Sequence, residues 1–459
     1  MKKENATFGS RLGVICATVG SAVGLGNIWR FPAEAQSNGG AAFLLLYVGC
    51  VFLLGVPVML AEFALGRAGR SDAVGAFRNL ARSRGRLWSC GGGLAILASY
   101  LILCFYMVVA GWTLEYLWQS VTGALYSAGS GSQQALEAGF HQRMEEYICS
   151  GRGPLLNTFL MILINLGILL MGVRKGIERI SNFLMPLLFL LLVIFSCFSL
   201  SLPGAAEGLR FFFTPDFSKI TPAVAVNALG QAFFSLSLGM GILITYASYY
   251  PKETRLGQTG VTVALLDLLV AVLMGVIIFP AVASFGLEGE GLRGTTLVFV
   301  TLPEVFAQMP GTQIWSILFF TLLTVAALTS TISIAEVSVA YVQDHFRRSR
   351  VAACLIVLTP LFLFSSICAL SFSELSDWTV AGMTVFDLLD TVATNYMLPV
   401  VSIIVCLFMG WGISRTEFLR ELTNGRMNPS APTRLTVAII RYLAPALIFV
   451  ILAANFISF

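Results

Sequence analysis

Long stretches of nearly uninterrupted apolar residues alternate with short polar segments along the whole of this chain. They fall at roughly 11–36, 41–66, 90–122, 154–172 and 177–202, and again at roughly 221–250, 258–285, 311–345, 351–371, 380–412 and 434–458. Most reach the ~20 residues that a helix needs to cross the hydrocarbon of a bilayer, so the pattern predicts eleven transmembrane helices, numbered here spans 1 to 11. Span 1 is not smooth. It reads Gly20-Ser21-Ala22-Val23-Gly24-Leu25-Gly26-Asn27-Ile28-Trp29-Arg30-Phe31-Pro32, three glycines within seven residues followed by an amide and an arginine. Glycine tolerates non-helical angles, which predicts a break between Val23 and Gly26. Backbone groups freed inside hydrocarbon are tolerable only where they line a cavity or coordinate something. Carbonyls ending the first half suit a small cation, and the N-terminus of the second half suits a carboxylate. A glycine-rich packing helix is the bland alternative, and it leaves Asn27 and Arg30 in need of other buried partners.

Composition agrees with the pattern. Of 459 residues, 57% are hydrophobic and only 11% charged, the profile of a polytopic helical membrane protein. The net charge of +4 says little, but its distribution says more. With the N-terminus in the cytoplasm, all but six of the 28 Lys and Arg fall in the tail, on inner loops or at inner helix ends; the six are Arg30, Arg143, Arg152, Arg210, Lys219 and Arg293. That asymmetry predicts a plasma (inner) membrane protein with a cytoplasmic N-terminus and an external C-terminus. The first apolar run is too long for a cleavable signal peptide. Eight of nine cysteines lie in or at the ends of spans, Cys149 alone sitting in a polar loop, which suggests no disulfide framework or metal centre. No nucleophile–base–acid set appears, so no enzyme activity and no nucleic-acid partner is expected.

The Gly20–Pro32 run resembles, nearly residue for residue, the first helix of the neurotransmitter:sodium symporter family, in the bacterial amino-acid branch that contains LeuT and MhsT. The likeness extends from Phe8 to the last span. It implies an all-α LeuT fold in one domain over 1–459: two inverted repeats of five helices (11–202 and 221–412), broken helices at spans 1 and 6, and an extra helix at 434–458. Span 6 reads Gly230-Gln231-Ala232-Phe233-Phe234-Ser235-Leu236-Ser237-Leu238-Gly239-Met240-Gly241, interrupted where span 1 is interrupted. Paired breaks in matching helices point to a midplane site, although small residues also serve plain helix packing.

The resemblance implies two Na⁺ sites. The first takes the backbone of Ala22, the amide of Asn27, Ser235 and, on span 7, Asp267, where LeuT carries asparagine. The second takes the carbonyls of Gly20, Val23 and Ala326 with the hydroxyls of Thr329 and Ser330. Oxygen donors without sulfur or imidazole suit Na⁺ chemically. Tyr47, Gln231 and Ser235 match the anion site of chloride-dependent relatives, whose span-7 position is Ala271 here. Asp267 lies one turn away, at i and i+4, and can supply a fixed negative charge, which implies chloride-independent transport. The substrate pocket is implied at Ala22, Gly24, Leu25, Gly26, Ile102, Tyr106, Val109, Phe234, Ser235, Ser237, Met240, Ser330 and Ile334. Its lining is mostly apolar, and Gly24 stands where amine carriers hold an aspartate. A hydrophobic L-amino acid is therefore favoured, with Met240 adaptable enough for aromatics.

For the gates the resemblance implies Arg30 paired with Asp390, or Asp387, under a lid of Phe233 and Tyr106. On the inner side it implies Asp344 with Tyr249 and Ser248. The family's inner arginine is replaced by Asn5 and its tryptophan by Phe8, so Lys2 or Lys3 is the candidate basic partner. Gly176 and Pro186 on span 5 frame a turn able to unwind. Glu62 is expected to satisfy amides freed by the breaks, while Glu115 and Glu336 receive no role. The reading is a sodium-coupled importer of hydrophobic L-amino acids by alternating access. A proton- or antiport-coupled carrier of the same fold and a non-transporting amino-acid sensor are the alternatives. Oligomeric state is open.

Overall fold

The structure, a computed structural model, describes residues 7–81, 85–126, 133–286, 294–425 and 430–457. It is helical throughout, an isolated bridge between Val380 and Met383 being the sole strand-like pairing among the described residues. Among the described residues, nine helices are long and apolar enough to cross a membrane: Ala41–Gly69, Gly85–Thr122, Arg152–Leu170, Val173–Ser199, Leu256–Phe285, Thr312–His345, Arg350–Leu370, Val385–Gly412 and Ala431–Asn455. They correspond to spans 2–5 and 7–11. Span 1 is a bent pair, Arg11–Ala22 and Gly26–Ser37, angled by 55°. Span 6 is likewise two helices, Pro222–Ser235 and Ile242–Ser248. Boundaries moved most in two places. Span 3 starts at Gly85, because helix continues through polar residues that periodicity alone leaves out, and span 10 starts at Val385, because the Val380–Met383 turn precedes it.

Local chemistry explains the ends. Ser10 caps the first half of span 1 by accepting from the Gly13 amide, and Thr221 caps span 6, with Pro222 in its first turn where no donor is lost. The span-6 break runs through three residues with positive φ: Ser237 (53°), Gly239 (79°) and Gly241 (72°). At Gly239 a side chain would also strike the Leu398 carbonyl, so backbone and space both demand glycine. The amide of Gly239, freed by the break, donates to Glu62 Oε1 at 2.7 Å. That is the structural role expected for Glu62.

Close packing holds the breaks at one level. Gly66 on span 2 lies against the backbone of Ile244 on the inner half of span 6, with no room for a Cβ. Ser237 Oγ donates to Ser21 O at 2.8 Å, joining the two broken helices directly. Span 5 is helical from Val173 to Ser199, opening with a π turn over Val173–Glu178 and carrying Pro186 inside the helix. The Gly176–Pro186 segment is therefore wound in this state.

Candidate functional site

At the breaks, spans 1, 2, 6 and 7 bring a buried polar cluster together. Asn27 Nδ2 donates to Asp267 Oδ1 (2.8 Å), to Ser235 Oγ (3.0 Å) and to Asp267 O (3.3 Å). Ser235 and Tyr47 both donate their hydroxyls to Asp267 Oδ2, at 2.7 and 3.1 Å. All four residues are buried. Asn27 Oδ1 has no hydrogen-bond partner among the described residues, although it is buried. A buried unsatisfied oxygen beside a carboxylate is unfavourable without a positive group, and a cation of hard-oxygen preference fits it. Gln231 Nε2 donates to Gly26 O at 3.2 Å, and Ala271 is buried one turn beyond Asp267.

A second convergence lies where span 8 crosses the first half of span 1. Ser330 Oγ stands 3.5 Å from both Gly20 O and Val23 O. Thr329 is beside it, its hydroxyl directed to Ala326 O and Val325 O at 3.1 Å. Helix end and break thus present several oxygens to one small volume.

Between these clusters the Tyr106 hydroxyl accepts from the Leu25 amide at 3.1 Å. Ser330 Oγ and Tyr106 OH fill the space beside Gly24, where a Cβ would sit 2.7 and 3.0 Å from them. Gly26 is covered by the Phe234 ring, 2.7 Å from where a Cβ would be. Ile102, Val109, Ser237, Met240 and Ile334 are all buried, on spans 3, 6 and 8.

The outer end departs from the sequence reading in two ways. Arg30 makes no ion pair with Asp390, or with any other acid among the described residues, within 4 Å. Asp390 instead accepts from Thr394 Oγ1 at 2.9 Å, and Asp387 accepts from Thr384 at 2.8 Å. The guanidinium of Arg30 lies over Phe234, 4.8 Å from the ring centroid. It is Phe234, and not the expected Phe233, that makes this ring contact with Arg30, because one step along a helix turns the side chain by about 100°. Arg30, Phe233, Phe234 and Thr394 line a cavity of about 90 Å³.

At the opposite end, expected to be the inner one, the described residues pack closely. Phe8 packs edge-on against Tyr246 and Tyr249 at 5.8 and 6.1 Å, and its amide donates to Tyr249 O at 3.0 Å. Asp344 accepts from the Asp72 amide at 3.1 Å. The candidates Lys2, Lys3 and Asn5 lie outside the described residues. Two groups were missed from sequence. Glu336 forms a two-pronged ion pair with Arg350 (2.8 and 2.6 Å) and accepts from Tyr249 OH at 2.8 Å. Glu178 accepts from the Gly9 amide (2.7 Å) and Ser10 Oγ (2.8 Å), clamping the start of span 1. The usable signal for the first was Arg350 opening span 9, one loop beyond Glu336. Glu115 accepts from Asn157 and Gln119 at 2.7 and 2.8 Å, a structural role.

The profile of the sodium:neurotransmitter symporter family matches residues 5–150 and 143–459. The chain is 35% identical over 450 residues to the uncharacterized sodium-dependent transporter YhdH of Bacillus subtilis, covering 98% of this chain and 97% of that one. It is 34% identical over 461 residues to an uncharacterized sodium-dependent transporter of Haemophilus influenzae, covering 99% and 98%. Among solved structures, MhsT in complex with L-phenylalanine superposes with a TM-score of 0.88 at 42% identity, covering 98% of this chain and 99% of that one.

Proposed function

The chain belongs to the sodium:neurotransmitter symporter family, and from that premise we propose that it imports a hydrophobic L-amino acid with Na⁺, independently of chloride. It is a multi-pass membrane protein of LeuT fold, and its relatives are transporters, not enzymes. In the proposed cycle the bundle of spans 1, 2, 6 and 7 moves against the rest, with the N-terminus on the cytoplasmic side. Two sodium ions travel as co-substrates. One takes Asn27 Oδ1, Asp267, Ser235, the Ala22 carbonyl and the substrate carboxylate; the other takes the Gly20, Val23 and Ala326 carbonyls with Thr329 and Ser330. Tyr106 and the amides at Leu25 and Gly26 hold the carboxylate, and the apolar walls take the side chain.

One observation carries the chloride reading: Asp267 Oδ2 already receives the hydroxyls of Tyr47 and Ser235. Those are the donors that would otherwise face an anion, and a fixed carboxylate there balances cation charge. An amino acid is favoured over an amine because no acid stands at Gly24, where even a Cβ would crowd the Ser330 and Tyr106 hydroxyls. The aromatic ligand of MhsT supports an apolar side-chain pocket of similar size.

The test is uptake of radiolabelled L-phenylalanine, L-leucine and L-tryptophan into proteoliposomes. Uptake is expected with external sodium, absent with choline, lost in Asn27→Ala and unchanged when gluconate replaces chloride. Loss of uptake in gluconate would overturn chloride independence. Sodium-independent uptake driven by an imposed pH gradient would favour the proton-coupled reading instead, with Asp267 as the carrier.

A further inference from the structure

Span 5 turns one buried face towards span 1, and that face changes character along its length. From the Val173 end it carries Glu178 and Ser181, then Met185, then Leu188 and Leu192, at the i+3 and i+4 steps of a helix. Span 1 answers with small residues at matching steps, Gly13, Ala17 and Gly20. A Cβ at Gly13 would run into the Glu178 carboxylate. At Gly20 a Cβ would lie 3.1 Å from Met185 Sδ and 3.3 Å from Thr329 Cβ. The backbone of span 1 is thus wedged between the Met185 thioether and span 8, at two residues of the second oxygen cluster. Met185 itself is 2% exposed.

Polar groups line span 5 up to Met185 and stop there. Asn182 Oδ1, one turn before it, is buried with no hydrogen-bond partner among the described residues. Pro186, next in sequence, has no N–H, so the Asn182 carbonyl also lacks its usual helical donor. Buried oxygens of this kind are unfavourable unless water reaches them. The Glu178–Asn182 stretch therefore suits water, and Met185 is the first apolar group on this face before the oxygen cluster. Methionine is an ordinary gap-filler in a core, but the gap it fills here lies against Gly20 and Thr329.

We infer that Met185 is a positioning residue of the second sodium site, its thioether holding Gly20 against Thr329 and keeping water on the span 5 side away from the ion. The inference rests on the proposed sodium coupling and adds a residue that gives the ion no ligand, since a soft sulfur is a poor donor for Na⁺. Without the thioether, water competes for the ion and the Gly20 carbonyl is less firmly placed. Sodium is then held less tightly, while the contacts to the amino acid are unchanged.

The experiment uses the full purified chain. Binding of tritiated L-phenylalanine is followed as sodium replaces choline, and the thermal midpoint is measured at both ends of the titration. Met185→Ala is expected to raise the sodium concentration for half-maximal binding about tenfold, as loss of an outer support does at other ion sites. L-Phenylalanine affinity at saturating sodium should stay at the wild-type value, and the rise in midpoint that sodium gives should shrink. Met185→Leu, which refills the volume without sulfur, should restore the wild-type sodium requirement. Met185→Val leaves a smaller gap and should shift it part of the way, which carries the decision if the alanine variant does not fold. Leu190→Ala, on the exposed face of span 5, should not shift it. An unshifted sodium requirement at position 185, with midpoints lowered equally in sodium and choline, would make Met185 plain core and overturn the inference. An equal shift in Leu190→Ala would overturn it too. Wild-type binding that ignores sodium would instead overturn the sodium reading, and this inference with it.

Discussion

Glu336 shows how a charge survives in the interior. Its carboxylate is fully buried, and Arg350 grips both oxygens while Tyr249 donates to one of them. Removing one partner of such a pair strands the other, at a cost of about 3 kcal/mol. Glu336→Gln is therefore expected to lower the thermal midpoint of the purified protein. Glu336→Gln combined with Arg350→Met should recover part of the loss, since the stranded cation is gone. An unchanged midpoint in the single variant would show that the pair contributes nothing net. The same logic separates Asn27 from an ordinary core amide. Its Nδ2 donates to Asp267 and Ser235 while its Oδ1 has no partner among the described residues, as at Asn165 and Gln231; what differs is the carboxylate beside it, and in the proposed mechanism a sodium ion takes that oxygen.

Among the elements, the start of span 1 is held from span 5 by Glu178, whose π turn aims the carboxylate at Gly9 and Ser10. This clamp sits within the Gly176–Pro186 segment, so unwinding there would release span 1 at the same moment. Glu178→Gln is expected to open the inner end more often. Buried Cys16, on the first half of span 1, is a native reporter, and its maleimide labelling followed by peptide mass spectrometry should speed up several-fold. No change in rate would mean that Phe8 and its tyrosines hold the end alone. Spans 2 and 6 make the second element-scale test. A Cβ at Gly66 meets the Ile244 backbone, which cannot swing aside like a side chain. Gly66→Ala should then cost about 1–3 kcal/mol, read as a lower melting temperature. Wild-type stability in that variant would imply a looser contact between these helices.

The whole molecule is asymmetric between its two ends. Phe8, Tyr249, Glu178 and the Glu336–Arg350 pair close one end, while at the other Arg30 rests on Phe234 beside a small cavity. Between them lie both oxygen clusters and the Tyr106–Leu25 contact. In the proposed mechanism the substrate carboxylate completes the first sodium site, so the two ligands must strengthen each other by the same factor. Titrating L-phenylalanine at low and high sodium, and sodium with and without L-phenylalanine, should give matching shifts in affinity. Affinity for the amino acid that does not depend on sodium would sink the shared site.

Much of this was readable from the chain alone. Apolar run length dictates the spans, because unpaired backbone cannot remain in hydrocarbon. The Gly20–Pro32 and Gly230–Gly241 interruptions dictate the breaks, because glycine and small polar residues are where a helix yields. Resemblance along those runs was also enough to nominate Asn27 and Ser235, and the matching position on span 7 nominated Asp267. What only the tertiary structure decided were partnerships across distant helices. Pattern could not say that Arg30 would lie on Phe234 and not pair with Asp390, since both acids and both aromatics lie within reach and the packing angle selects among them. It could not assign Glu336 or Glu178, whose partners sit on other elements. Helix periodicity is a local property; which side chains share a low-dielectric space depends on how the helices cross.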